Sequence, residues 1–163
     1  PHITWTLGGF SLPTNNERFV IGQYVTIHGD VISHVNISNV HVQDGGIYQC
    51  KASNRVGEVS HSAAMRVYGL PHIRPMPNIS AVAGEPLYLA CPVAGYPIET
   101  IIWAKEGKKL PTSRRQRVFN NGTLYIANVE REQDQGTYRC SAQNKQGKSA
   151  SQEVSNAVIG MYL

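Results

Sequence analysis

The chain has 163 residues, 41% of them hydrophobic, with 15 basic and 11 acidic side chains giving a net charge of +4. Its apolar runs fall far short of the roughly 20 residues a helix needs to cross a bilayer, and no segment reads as a secretion signal. The six histidines are scattered, and Cys-x-x-Cys, His-Glu-x-x-His, Gly-x-Ser-x-Gly and glycine-rich phosphate loops are absent; this excludes the common metal, redox, hydrolase and nucleotide chemistries, so neither a cofactor nor an enzyme activity is expected.

Taken in order, Ile3-Thr-Trp5 reads as a strand and Gly9-Phe-Ser-Leu-Pro13 as the turn that follows it. Phe19 to Ile27 suggests a long strand, and His34 to Val40 alternates so that Val35 and Ile37 face a core while Asn36 faces out. Asp44-Gly-Gly-Ile-Tyr-Gln-Cys50 is a turn feeding a strand, Ala52 to Gly57 a hairpin, and Ala63 to Val67 the closing strand. Tyr68-Gly-Leu-Pro71 then joins this unit to a second one with little slack.

The second unit repeats the first. Pro75-Met-Pro reads as an edge strand, since proline cannot donate to a ladder; Ala83-Gly-Glu is a turn and Leu87 to Cys91 a strand. Ile101-Ile-Trp103 and Gly107-Lys-Lys-Leu-Pro111 repeat Ile3 to Pro13 at an offset of 98. Thr123 to Val129 alternates with Leu124 and Ile126 inward, and Asp134-Gln-Gly-Thr-Tyr-Arg-Cys140 repeats Asp44 to Cys50 at an offset of 90, so eight extra residues lie between Arg18 and Gly29. Ala142 to Gly147 is again a hairpin. Ser149 to Ile159 has no cleanly apolar face, so the last strand is expected to fray or to lack its usual residues from about Val154. Gly160 to Leu163 is expected to be a disordered tail.

Asp-x-Gly-x-Tyr-x-Cys is the tyrosine corner of an immunoglobulin sandwich: the phenol folds back on upstream backbone while Tyr and Cys share a strand face. Cys91, Trp103 and Cys140 have the spacing of an inter-sheet disulfide packed on a buried indole. By the same spacing the partner of Cys50 would lie about seven residues before Pro1, so the chain reads as beginning in mid-domain. The fold class expected is all-β, as tandem sandwiches, the first truncated at its N-terminus: residues 1–68 without strands A and B, a linker at 69–72, a complete domain at 73–159 and a tail at 160–163. As an isolated polypeptide it is expected to aggregate or to form disulfide dimers through Cys50.

A cysteine pair of this kind implies an oxidising compartment. Three Asn-x-Ser/Thr sequons, at Asn36, Asn78 and Asn121, agree with an extracellular placement. The charge is uneven. Residues 1–70 carry four basic and four acidic groups, residues 71–163 eleven and seven, and Lys105 to Arg117 alone holds six basic groups and one acid.

From Trp5 to about Ser149 the chain resembles tandem I-set immunoglobulin domains of neuronal adhesion receptors. Ala83 to Ile98, Trp103 to Pro111 and Arg117 to Leu124 are similar to the arthropod Down syndrome cell adhesion molecule family at the junction of its sixth and seventh domains. The resemblance implies the extracellular part of a plasma-membrane protein in which identical isoforms bind each other, serving axon guidance and dendrite self-avoidance. It carries over only the framework: Cys91, Trp103, Tyr138 and Cys140, with Trp5, Tyr48 and Cys50 in the partial copy. Alternation leaves Tyr88, Ala90, Tyr125 and Ala127 outward on one sheet, a candidate self-contact patch, since aromatics are enriched at interface centres. Lys105, Lys108, Lys109, Arg114, Arg115 and Arg117 form a candidate contact for a glycosaminoglycan, although lysines at a sheet edge also simply oppose aggregation. Other cell-surface proteins are alternative partners, a structural spacer in a long ectodomain is a third reading, and no nucleic-acid partner is expected.

Overall fold

The computed structural model describes residues 1–12 and 17–160. Pro13, expected at the end of the first turn, and Met161 to Leu163, expected to be a disordered tail, lie outside the described residues. The first domain consists of β1 (His2–Leu7), β2 (Phe10–Ser11), β3 (Phe19–Val25), β4 (Val31–Ile37), β5 (Gly46–Ser53) and β6 (Glu58–Met65). Strands β2-β1-β5-β6 form one antiparallel sheet and β3-β4 the facing hairpin. Trp5 stands opposite Cys50 across the β1–β5 ladder, as alternation requires if both are to face the same core.

The second domain follows with β7 (Gly69–Ile73), β8 (Ile79–Val82), β9 (Leu87–Leu89), β10 (Val93–Tyr96), β11 (Thr100–Lys105), β12 (Lys108–Lys109), β13 (Gln116–Val118), β14 (Leu124–Ile126), β15 (Gly136–Gln143) and β16 (Ser149–Ile159). One sheet runs β12-β11-β15-β16-β8, the facing one β13-β14-β9, and β7 pairs with β10. Trp103 stands opposite Cys140. Trp103, Tyr138, Leu124, Ile126 and Cys140 have no measurable exposure and pack around the Cys91–Cys140 disulfide.

The two cores differ in closure. Leu7, Leu12 and Phe19 are buried in the first domain, but Trp5, Val35, Ile37 and Tyr48 are only partly so, and an apolar groove of about 240 Å³ opens between them and Ala63 to Met65. The eight extra residues lengthen one hairpin: β3 and β4 have seven residues each where β13 and β14 have three. Strand β3 ends at Val25, two residues short of the expected Ile27, because Thr26 and Gly29 turn back through Thr26 N–H to Asp30 O and Gly29 N–H to Thr26 O bonds.

Three expectations are corrected. Pro75-Met-Pro is not a strand but the break between β7 and β8; two prolines without N–H groups end one edge segment before the next begins. Residues 69–72, expected as linker, lie within β7, so the second domain's first strand starts almost where the first domain stops. The last strand is not frayed: β16 pairs with β15 over eight residues and then runs parallel to β8. Its inward face is Val154, Asn156 and Val158, all buried. Asn156 disguises the pattern because its Nδ2 donates to Asp134 O at 3.1 Å, which places an amide where a hydrocarbon is expected.

Candidate recognition face and domain joint

Each domain holds its tyrosine corner with a second device. Tyr48 Oη donates to Asp44 O at 2.5 Å, and Tyr138 Oη to Asp134 O at 2.6 Å. The aspartate side chains, nearly or wholly buried, each receive a forked arginine: Arg18 reaches Asp44 at 2.8 and 2.9 Å, and Arg115 reaches Asp134 at 2.9 and 3.1 Å. Backbone N–H groups of His41 and Glu130 complete the two carboxylates at 2.7 Å. Burial works to raise the pKa of Asp44, but the Arg18 fork, the His41 N–H and the Arg18 charge outweigh it, and the carboxyl is held below its ordinary range. The sequence left Arg18 without a role and placed Arg115 in the basic stretch rather than in the corner. Their spacing of 97 residues, one short of the framework offset, was the available signal.

The corner phenols titrate late. Burial, then the Asp44 charge, pushes Tyr48 from 10.0 up to about 12, and burial with Asp134 raises Tyr138 as well. A folded pKa above the unfolded one stabilises the fold fully below the unfolded value of 10.0, and the contribution is lost as pH rises through about 12. Thermal melts through this alkaline window should therefore fall more steeply for the native chain than for a Tyr48→Phe/Tyr138→Phe variant. Parallel slopes would show that the corners carry no such linkage.

The outward face of β13-β14-β9 is aromatic. Tyr88 and Tyr125 are cross-strand partners with ring centroids 4.8 Å apart, and Tyr88 is 63% exposed. Phe119, 6.2 Å from the Tyr125 ring, extends the patch, and the Arg117 guanidinium lies 5.4 Å over Phe119. The expected tyrosine pair is thus together on one face, joined by Phe119 and Arg117, which sequence reading did not assign to it. Ala127 is half-buried on β14's continuation. Ala90 is not at the patch centre but at the joint: a side-chain carbon on Gly9 would stand 3.1 Å from its methyl.

The basic stretch disperses. Arg115 is committed to Asp134 and to the carbonyls of Ala127 and Asn128, and Arg117 lies on the aromatic face. Lys105 and Lys108 line a groove of about 460 Å³ with Thr112 and Ser113, while Lys109 and Arg114 are exposed. The sequon residues Asn36, Asn78 and Asn121 are all exposed.

The domains meet through Arg74, whose Nη1 donates to Gln43 O at 2.9 Å and Gly45 O at 2.6 Å across the joint. Gly8 and Gly46 give it room: a side-chain carbon on either would stand 2.7 or 3.0 Å from Nη2. Tyr68 meets Tyr96 edge to face at 5.2 Å, and Arg66 lies over the Tyr96 ring at the same distance.

A family model described as immunoglobulin I-set domain matches residues 1–67, and one described as immunoglobulin domain matches residues 71–144. The chain is 57% identical over 159 residues to the cell adhesion molecule Dscam2 of Drosophila melanogaster, and 43% identical over 155 residues to the cell adhesion molecule DSCAM of Homo sapiens. These alignments cover 98% and 94% of this chain, which spans only 8% of either relative. The crystal structure of the N-terminal eight Ig domains of DSCAM isoform 1.30.30 superposes with a TM-score of 0.93 at 50% identity, covering 98% of this chain and 20% of that one. One superposition fits both domains at once, so their relative placement is shared as well as their fold.

Proposed function

The chain belongs to the immunoglobulin superfamily, as a pair of I-set-type domains similar to those of the Dscam cell adhesion molecules, and from that premise we propose that it is an extracellular self-recognition module. Its partner is an identical copy on an opposing membrane, and the binding serves axon guidance and dendrite self-avoidance through isoform-specific contact. The observation that carries the reading is the ring pair of exposed Tyr88 and half-buried Tyr125, with exposed Phe119 and Arg117 beside it. Aromatic and arginine side chains dominate the centres of protein interfaces, and a two-fold axis through the patch lets it meet itself. Tyr88→Ala should weaken self-association roughly 30-fold, the effect of losing about 2 kcal/mol at a central contact. Sedimentation across a concentration series measures this, and an unchanged dimer constant would reject the face.

A second reading rests on Lys105, Lys108, Lys109 and Arg114 near the groove with Thr112 and Ser113: a site for a sulfated polysaccharide. Retention on heparin that falls steeply with salt and disappears in a Lys108→Glu/Lys109→Glu variant would favour it.

A further inference from the structure

We propose that Asn121 carries an N-linked glycan whose first N-acetylglucosamine lies in the groove between the two domains, making the sugar part of the joint. The inference rests on the extracellular placement proposed above. Two grooves of about 190 and 200 Å³ flank the joint, and Gly8, Ile47, Cys91 and Asn121 line both, so Asn121 borders each of them. Neither Asn36 nor Asn78 lines either groove.

The groove of about 200 Å³ has the chemistry of a sugar site. Thr6, Gln49 and Ser62 of the first domain and Thr123 of the second line it with hydroxyl and amide groups, and Gly9 and Ala90 approach each other in the same lining. Hydroxyl and acetamide groups of a hexosamine can bond to the first set, and the apolar face of its ring can cover the second. Asn121 Oδ1 accepts from the Thr123 N–H at 3.0 Å, which turns the oxygen toward its own turn and leaves Nδ2 for attachment. In the attachment step a lipid-pyrophosphate-linked oligosaccharide is the donor. Nδ2 forms a bond to the anomeric carbon, the bond from that carbon to the pyrophosphate oxygen breaks, the lipid pyrophosphate leaves, and Nδ2 gives up one proton.

The test uses the chain secreted from insect cells with Cys50→Ser, so that the unbridged thiol does not cross-link copies. Glycopeptide mass spectrometry reports occupancy, and hydrogen exchange at Gly8, whose N–H donates to Ile47 O at 2.9 Å beside the groove, reports the joint. Trimming the glycan to one sugar should leave the Gly8 amide protected. Asn121→Gln should speed its exchange several-fold, as should Thr123→Ala, which removes the sequon but keeps the Asn121 hydrogen bond; Asn36→Gln should not. A bare Asn121 beside an occupied Asn36 or Asn78 overturns this inference alone, whereas three bare sequons overturn the extracellular reading with it. An occupied Asn121 whose loss leaves Gly8 exchange unchanged overturns the placement of the sugar in the groove.

Discussion

Replacing Arg115 by Ala should lower the stability of the second domain by roughly 3–5 kcal/mol. The carboxylate of Asp134 has no exposure to solvent, and Arg115 is its ion-pair partner. With the guanidinium gone, the charge keeps the Glu130 N–H at 2.7 Å but loses both bonds of the fork, and a poorly compensated buried charge is far more costly than a pair removed together. The damage spreads because the same aspartate's carbonyl accepts both the Tyr138 phenol and the Asn156 amide. Strand β16 and the tyrosine corner therefore loosen with it. For a domain of this size the expected fall in melting temperature is roughly 15–25 °C. Arg115→Ala/Asp134→Leu should recover much of it, since the orphaned charge is then absent. A fall of only a few degrees for the single variant would mean that water reaches Asp134 and that the fork is ornamental to the fold.

Reduction of Cys91–Cys140 should be of similar size. The bridge spans 49 positions of sequence, and closing such a loop stabilises by about 4 kcal/mol in the chain-entropy model. Its sulfurs also sit among Trp103, Tyr138 and Leu124, all without exposure. A Cys91→Ala/Cys140→Ala variant loses the loop constraint and packing volume together, so it should melt lower still than the reduced native chain. Reductant should therefore lower the melting temperature of the second domain. A second domain indifferent to reductant would contradict this account of its core.

The framework was legible because its residues repeat at fixed spacing and obey alternation. Trp5 and Trp103, Tyr48 and Tyr138, Cys91 and Cys140 all take the expected places, and Val35, Ile37, Leu124 and Ile126 all face inward. What failed to read was polar. Asn156 hid the inward face of β16 because a buried hydrogen bond replaces hydrocarbon contact, and the arginines hid because a buried ion pair leaves no hydrophobic period. The basic stretch misled for the opposite reason. Its charges are adjacent in sequence, but strand geometry sends Arg115 into the corner and Arg117 onto the aromatic face. Tyr88 and Tyr125 were found by alternation alone, whereas Phe119 was not, because it lies just past the end of β13, where alternation no longer tells which way a side chain turns.

Self-recognition through a two-fold face makes a quantitative demand that binding to any other partner does not. Each copy gives the same patch and receives the same patch, so a variant mixed with native chain should lose half the binding free energy lost by the variant with itself. The decisive measurement is the dissociation constant of three pairs, native with native, native with Tyr88→Ala/Tyr125→Ala, and variant with variant, each with one copy fluorescently labelled. The account predicts three constants evenly spaced on a logarithmic scale. A mixed pair that binds as tightly as the native pair would contradict it and leave this face as an ordinary exposed sheet.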